Sequence, residues 1–378
     1  MMIYLDHAAT TPVPREVAGA MYEVLTESYG NPSSQYPLGA GMKKRVEGWR
    51  RTVAALLDCP AEALYFTSCG TEGDNWALRA AAWQNRHLGR HIVTTAVEHS
   101  AVLECCKWLE REGYEVTRLA PDQRGSLSAE QVLEAVRPDT AVVSVMLVNN
   151  ELGNRYPVKA IARGLAARNP KTLLHTDAVQ GLGTFSARDL GADFVTVSAH
   201  KINGPKGVGA LYAGPRVKNP RPLLAGGGQE GGLRAGTEAT AQIAGFAKAA
   251  ELRLSRQMEI QEHLAGLRAH ALERLRDFPD LTVLGDPEGG APHILALSLA
   301  GWPSQNIVND LGSQGICISA GSACHQGKPS HVVAALNLPK RVAAGVIRLS
   351  FGPETTREEI DACAEALRRH HDQRMPML

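Results

Sequence analysis

The residues best placed to do chemistry sit where apolar runs end. Phe194 to Val197 is apolar and β-branched. Ser198, Ala199, His200 and Lys201 follow, and Gly204, Pro205 and Gly207 then forbid a helix. Lys201 is therefore expected at the mouth of a sheet, on a stiff strand and a tight turn. Partial burial and nearby cations would lower the pKa of such a lysine and free its lone pair, making it a candidate Schiff-base amine. The competing reading is a surface lysine beside a turn, and this stretch alone does not separate the two.

Other strand ends carry polar groups of complementary kinds. Gly70-Thr71 follows Leu64 to Thr67 and opens a helix, where free backbone N–H groups, the helix dipole and a hydroxyl suit a phosphate. An ordinary threonine cap would look the same. Glu98-His99-Ser100 follows His91 to Thr95, and a flat imidazole there can stack on an aromatic ligand and pass protons. Asn149-Asn150 follows Ala141 to Val148, and buried asparagines need partners, so a ligand contact is expected. Asp177 follows Leu173 to Thr176, with Gln180 three residues on. A carboxylate there can hold a protonated ring nitrogen, or simply cap a helix. A phosphate site, a carboxylate, a flat side chain and a lysine along one sheet edge match the needs of pyridoxal 5'-phosphate.

A second cluster is Cys317-Ile-Ser-Ala-Gly-Ser-Ala-Cys324-His-Gln-Gly-Lys-Pro329. Its small residues, Gly327 and Pro329 read as an exposed, mobile loop. His325 and Lys328 would give Cys324 some thiolate character. No cysteines are paired at ligand spacing, so no resident metal is expected. Cys317, Cys105 and Cys106 read as small buried hydrophobes. Arg348 alternates with Ile347 and Leu349 on an apolar strand; a buried arginine there needs an anion, either a substrate carboxylate or a structural partner.

The elements that must position these groups alternate. Between Leu64 and Ala213, short β-branched runs are separated by helical patterns, among them one opened by the capping box Ser128-x-x-Gln131. This predicts an α/β fold with a mostly parallel central sheet and helices on both faces. Helical patterns at 16–28 and 39–57 precede it. Gly226-Gly-Gly-Gln-Glu-Gly-Gly232 breaks the alternation as a loop able to approach a ligand closely. A long helical stretch from about Thr237 to Phe278, broken once, leads into a smaller α+β part with strands at 281–284, 293–299 and 346–350. The expected division is 14–255 as a large cofactor-binding domain, with 1–13 and 256–378 as a small domain carrying the Cys324 loop.

Composition narrows the class. The chain has 378 residues, 44% hydrophobic and 21% charged, as in a soluble globular protein. A formal net charge of +1 gives no reason to expect nucleic acid or an anionic membrane as partner. No apolar run reaches the roughly 18 residues that span a bilayer. The N-terminus lacks a basic n-region, so no secretory signal is expected. Seven cysteines with no C-x-x-C pair point to a reducing, cytoplasmic setting.

The motifs together resemble those of the cysteine desulfurases, in the class V branch of the pyridoxal-phosphate aminotransferase fold (type I). They run nearly end to end: Tyr4-Leu-Asp-His-Ala-Ala-Thr-Thr-Pro12, Gly30-Asn-Pro-Ser-Ser34, Thr67-Ser-Cys-Gly-Thr-Glu72, Glu98-His99, Val148-Asn-Asn-Glu-Leu-Gly153, His175-Thr-Asp-Ala-Val-Gln180, Ser198-Ala-His-Lys201, Gly204-Pro-Lys-Gly207, Arg234-Ala-Gly-Thr237, Ser319-Ala-Gly-Ser-Ala-Cys324 and Ile347-Arg-Leu-Ser350. The resemblance implies that Lys201 carries the cofactor, that His99 stacks on its ring and serves as acid or base, and that Asp177 pairs with the ring nitrogen. It implies that Gln180 and Asn150 contact the ring hydroxyl region, and that Gly70, Thr71, Ser198 and His200 hold the phosphate. Thr237 would reach the phosphate of a partner subunit in a homodimer. Arg348, helped by Asn150, would bind the carboxylate of L-cysteine, and Cys324 would be the nucleophile that becomes a persulfide.

The expected partner is a sulfur acceptor, such as an iron–sulfur scaffold or a tRNA-thiolation protein, and Cys324 could transiently touch an iron–sulfur cluster. The segment after Cys324 is about two residues shorter than in long-loop members, and the tail after Arg369 is short. Both features bear on partner choice. Two readings compete: a selenocysteine lyase or other class V lyase on the same fold, and a non-enzymatic sulfur carrier. A selenocysteine lyase need not depend on Cys324, and a carrier would be colourless.

Overall fold

The computed structural model describes residues 2–218, 220–320 and 330–373. In chain order the first half runs β1 (Ile3–Tyr4), α1 (Arg15–Thr26), α2 (Pro37–Leu57), β2 (Leu64–Thr67), α3 (Gly70–Gln84), β3 (His91–Thr95), α4 (Ser100–Arg111), β4 (Glu115–Leu119), α5 (Ala129–Glu134), β5 (Thr140–Ser144), α6 (Val158–Arg168), β6 (Leu173–Asp177), α7 (Ala187–Leu190), β7 (Phe194–Ser198) and β8 (Gly209–Ala213). The second half continues α8 (Thr240–Ser255), α9 (Gln257–Arg274), β9 (Leu281–Leu284), β10 (Ile294–Leu299), α10 (Ser304–Ser313), β11 (Ile316–Cys317), β12 (Ser319–Ala320), α11 (His331–Ala335), α12 (Lys340–Ala344), β13 (Val346–Ser350) and α13 (Arg357–Gln373).

β2 to β8 form one seven-stranded sheet in the order β2-β8-β7-β6-β5-β3-β4. Only β8 runs against its neighbours, so the sheet is mainly parallel. Buried on both faces, its strands are continuous apolar runs. Val93, Val143 and Val195 pack into one cluster with Ile161 and Leu165 of α6. Their neighbours Ile92, Val142 and Phe194 pack on the other face, with Trp76 to Ala82 of α3 and Val102 to Leu109 of α4. α3 lies so close to β7 that a Cβ at Gly73 would sit 2.7 Å from Thr196 Cγ2.

The smaller sheet is antiparallel, in the order β12-β13-β10-β9. Its cluster joins Leu295, Leu297, Ile347 and Leu349 to Leu264 of α9, Leu311 of α10 and Leu367 of α13. The N-terminal strand belongs here too: Ile3 and Tyr4 pair with Ile316 and Cys317, and Ser350 donates its N–H to the Leu5 carbonyl at 2.8 Å. That docking carries Ala8 and Ala9 across to Lys201. The expected capping boxes form at Ser128/Gln131 and Thr356/Glu359, and the long helix breaks at Arg256.

One strand is shorter than its sequence suggests. Val145 to Val148 leaves the sheet after Ser144, although all four residues are buried. Leu147 instead donates to the Asp177 carbonyl at 2.8 Å and accepts from Tyr156 at 3.0 Å, so the apolar run becomes a buried loop. No helix among the described residues is long and apolar enough to cross a membrane.

Candidate active site

At the carboxyl ends of the parallel strands lies a cavity of about 540 Å3, within the usual size of a cofactor site. Gly70, Thr71, His99, Asn150, Asp177, Gln180, Ser198, His200, Lys201 and Arg348 all line it. These predicted residues come from positions nearly 280 apart and meet because each follows a strand of one sheet, or, for Arg348, lies on the strand facing it.

Lys201 stands in a short turn directly after β7. Its Nζ donates to the carbonyl oxygens of Ala8 and Ala9 at 2.6 and 2.9 Å. Burial lowers its pKa to about 8, and the Arg348 charge pushes the same way. Near physiological pH a minority of the amine is then neutral, far more than an ordinary lysine holds. Next to it, burial and the Lys201 and Lys206 charges hold His200 down to about 4, so its ring is neutral. Its Nδ1 lies 3.2 Å from the Thr10 hydroxyl.

The phosphate-type cradle is the first turn of α3, whose amides have no acceptor within the helix. Only glycine fits at its mouth: a Cβ at Gly70 would lie 2.9 Å from Val179 Cγ2. Glu72, one turn in, holds the Ser68 hydroxyl and pairs with Arg234 at 2.8 Å. This ties the glycine-rich segment to the cradle.

Two acids face the opposite end. Asp177 accepts from the Val179 N–H at 2.9 Å and so braces the short turn that follows, whose cap position is Ala178. It also lines the cavity beside Asp74, which the sequence reading did not single out. Burial raises both carboxyls, and Asp74 raises Asp177 further. Asp74 Oδ1 is buried without a hydrogen-bond partner. His175 lies 3.4 Å from Asp74, yet burial drives it down to about 4, so its ring is neutral and the contact is not an ion pair. Behind them Glu98 is fully buried and pushed up to about 8. Asp74, His99 and Asp177 bring oxygen or nitrogen atoms within 4.8 Å of one another. A site of that kind suits a cation, and a protonated ring nitrogen is one.

His99 caps α4, its Nδ1 accepting the Ala101 N–H at 3.2 Å. The neutral ring therefore carries its proton on Nε2. His99 is open to the cavity, but the atoms crowding it still lower its pKa; Asp177 works the other way, Lys201 and His331 the same way. Sequence reasoning did not single out His331 as a wall of this cavity, where its Nε2 donates to the Glu98 carbonyl at 2.8 Å.

The two asparagines separate. Asn150 lines the cavity. Asn149 is fully buried, donating to the Val97 carbonyl at 2.9 Å and accepting from the N–H groups of Glu151 and Leu152, so it braces the loop instead of meeting a ligand. Arg348 has the structural partner that one of its two readings required. Asp6 pairs with its Nη2 at 2.7 Å and the Asn150 carbonyl accepts from Nη1 at 2.6 Å, while Nε stays buried without a partner at the cavity wall. Gln180 donates to the Ala8 carbonyl at 2.9 Å. Thr237 is exposed and does not line the cavity of its own chain. Cys324 lies outside the described residues. The described residues on either side, Ser319 and Ala320 before it and Ser330 and His331 after it, all line the cavity.

A lysine of lowered pKa, a helix start open only to glycine and a buried acid pair around one cavity fit pyridoxal phosphate, and the chain is a pyridoxal-phosphate enzyme of the α/β type. Comparison narrows the class: the pattern of the class-V aminotransferases matches residues 3–363, and the chain belongs to that family. It is 39% identical over 369 residues to the cysteine desulfurase IscS of Methanosarcina thermophila, covering 97% of this chain and 91% of the relative. A solved NifS-like protein superposes with a TM-score of 0.93 at 35% identity, over 99% of this chain and all of the other. A structure described as SspA in complex with cysteine matches with a TM-score of 0.81 at 29% identity, over 93% of this chain and 99% of the other.

Proposed function

We propose that the chain is a cysteine desulfurase that takes sulfur from L-cysteine, releases L-alanine and hands the sulfur on from Cys324. The observation that carries this is the cavity itself, with its amine, acid pair and guanidinium bordered on both sides by the ends of the Cys324 segment. Its curated relatives of similar length are cysteine desulfurases, which disfavours the selenocysteine lyase.

Pyridoxal phosphate, when bound, draws electrons from the substrate α-carbon and so acidifies its proton. Gly70, Thr71, Ser198 and His200 would hold its phosphate and Lys201 its aldehyde carbon. Asp177 would keep a proton on the ring nitrogen, while Gln180 and Asn150 contact the ring hydroxyl region. Arg348 binds the carboxylate of L-cysteine through its open donors, and this orients the α-proton toward Lys201 Nζ. The lowered pKa of that amine lets it take the proton near neutral pH. His99 holds a further proton on Nε2. Cys324 thiolate attacks the substrate sulfur; the new S–S bond forms as the Cβ–S bond breaks, its electron pair goes to Cβ, and one proton added at Cβ and another returned to Cα complete alanine. The persulfide sulfur then passes to an acceptor thiol in iron–sulfur assembly or tRNA thiolation.

The protein acts as a homodimer in this reading, with Thr237 serving the partner's phosphate. Support comes from the exposed Tyr22 and Leu25 of α1, Tyr29 just beyond it, and Tyr36 and Leu38 at the start of α2. The adjoining Pro32 and Ser33 share a cleft with the glycine-rich segment and Glu238. Division into 14–255 and 1–13 with 256–378 accords with the separate cluster around Leu297 and Leu349, which takes in Leu5. A cytoplasmic location accords with the six described cysteines all being free.

The test uses Cys324→Ala and Lys201→Ala. Alanine and persulfide formation from L-cysteine should fall at least about 100-fold in Cys324→Ala while the yellow colour stays. Lys201→Ala should lose the colour of the bound cofactor. Unchanged sulfur release in Cys324→Ala would sink the proposal.

A further inference from the structure

The helices that begin at the cofactor cavity end at a second cleft. Trp76, Arg79 and Trp83 of α3 and Trp108 and Leu109 of α4 enclose, with Tyr114, Arg221 and Leu223, a space of about 640 Å3. At 1.5 Å per residue, Trp83 stands roughly 18 Å along α3 from Thr71.

Its chemistry is one-sided. Four exposed arginines line it, Arg79, Arg86, Arg90 and Arg221, against one carboxylate, Glu112. None of the four has a carboxylate partner among the described residues; Arg86 donates to the Trp83 carbonyl and Arg90 to the Glu112 carbonyl. Nearby Arg118, by contrast, grips Glu110 through two bonds of 2.7 and 2.9 Å.

Aromatic rings hold these guanidiniums in place. Arg86 and Arg221 lie 3.7 and 4.3 Å from the Trp83 centroid. Both guanidiniums therefore rest on the one indole. Arg79 covers Trp108 at 4.6 Å, and Arg90 lies 5.9 Å from Tyr114. A guanidinium held against a ring keeps in-plane N–H groups for a carboxylate, beyond the one carbonyl that Arg86 and Arg90 each hold. The guanidiniums also cover part of the ring surface on which a nucleic-acid base would stack. Trp83 and Trp108 remain 42% and 40% exposed over an apolar floor that includes Ala80 and Leu109.

We propose that this cleft docks an acidic segment of a partner protein, with Asp or Glu side chains reaching the arginine forks and an apolar side chain seated against Trp83 and Trp108. The surface is separate from the cofactor cavity, so the proposal does not depend on which reaction that cavity performs.

The test uses the full, cofactor-loaded protein and a synthetic twelve-residue peptide of glutamate, aspartate and leucine. Binding is followed by tryptophan fluorescence and calorimetry at low and high salt. The wild type should bind the peptide and lose affinity as salt rises. Arg86→Glu/Arg221→Glu should weaken binding at least about 30-fold, and the milder Arg86→Gln/Arg221→Gln about 5- to 10-fold. L-cysteine turnover with a small thiol as acceptor, and the cofactor spectrum, should stay unchanged in both. Equal binding by wild type and variants would overturn the proposal. So would binding of a twelve-nucleotide oligothymidylate in preference to the peptide.

Discussion

Glu230→Ala is the sharpest perturbation of the scaffold. Glu230 lies in the glycine-rich segment, and its side chain is almost fully buried against Arg50 of α2. Arg50 Nη1 and Nη2 donate to the two carboxylate oxygens at 2.6 and 2.8 Å, and the Phe66 N–H donates to one of them at 2.8 Å. Removing the carboxylate leaves a buried guanidinium and a buried amide without their acceptor. Breaking such a pair from one side costs about 3–5 kcal/mol. Glu47 stands 3.5 Å from Arg50 Nε and the Leu64 carbonyl still accepts from Nη1, so the lower end of that range applies. The loss should appear as a fall in the urea midpoint, followed by circular dichroism. The double variant Arg50→Met/Glu230→Leu removes both charges and should recover most of it. A Glu230→Ala protein within about 1 kcal/mol of wild type would refute the reasoning, because the pair would then not depend on mutual compensation.

Three further outcomes follow from the site. Glu98 is held up at about 8 against an ordinary 4.5, so folding favours its protonated form; the stability it contributes is complete below about pH 4.5 and is lost as pH rises through about 8. The cofactor-free protein should therefore show a falling urea midpoint between about pH 5 and about pH 8, and Glu98→Gln should flatten that fall. Gly70→Ala should cost about 1–3 kcal/mol through the stiff Val179 side chain and weaken cofactor retention, read from absorbance after dialysis. Arg348→Lys keeps a cation near Asp6 but loses the planar fork, so KM for L-cysteine should rise at least about 10-fold with a smaller change in kcat, measured by alanine release.

Much of this site was legible because punctuation marks strand ends. Gly70, His99, Asp177 and Lys201 each follow an apolar run, and one parallel sheet brings such positions to one edge. What was not legible depends on depth and on distant partners. The run Ala141 to Val148 reads as one strand because burial alone makes it apolar, and pairing stops at Ser144. Asn149 and Asn150 are identical as residues, and only the turn of the chain decides which one braces the loop. Asp74 sits four residues into a helix whose start drew the attention, and its importance comes from Asp177, over a hundred positions away. Arg348 meets Asp6 across 342 positions, a pairing with no local trace.

The charges of the cavity form a polarity that no single residue shows. Burial raises Asp74 and Asp177 at one end, so each prefers a cation or a proton beside it. At the cradle the start of α3 prefers an anion. Between these ends Lys201 feels opposed influences: burial and then Arg348 lower its pKa, while Asp177 and Asp6 raise it. A substrate carboxylate seated on Arg348 would offset the smaller of the two lowering influences, leaving that of burial in place. The amine then becomes more basic just when an α-proton is brought near. Arg348 would thus do two things with one contact, orienting the substrate and adjusting the base. Its own pair with Asp6 already offsets part of the Arg348 charge, so that adjustment is partial.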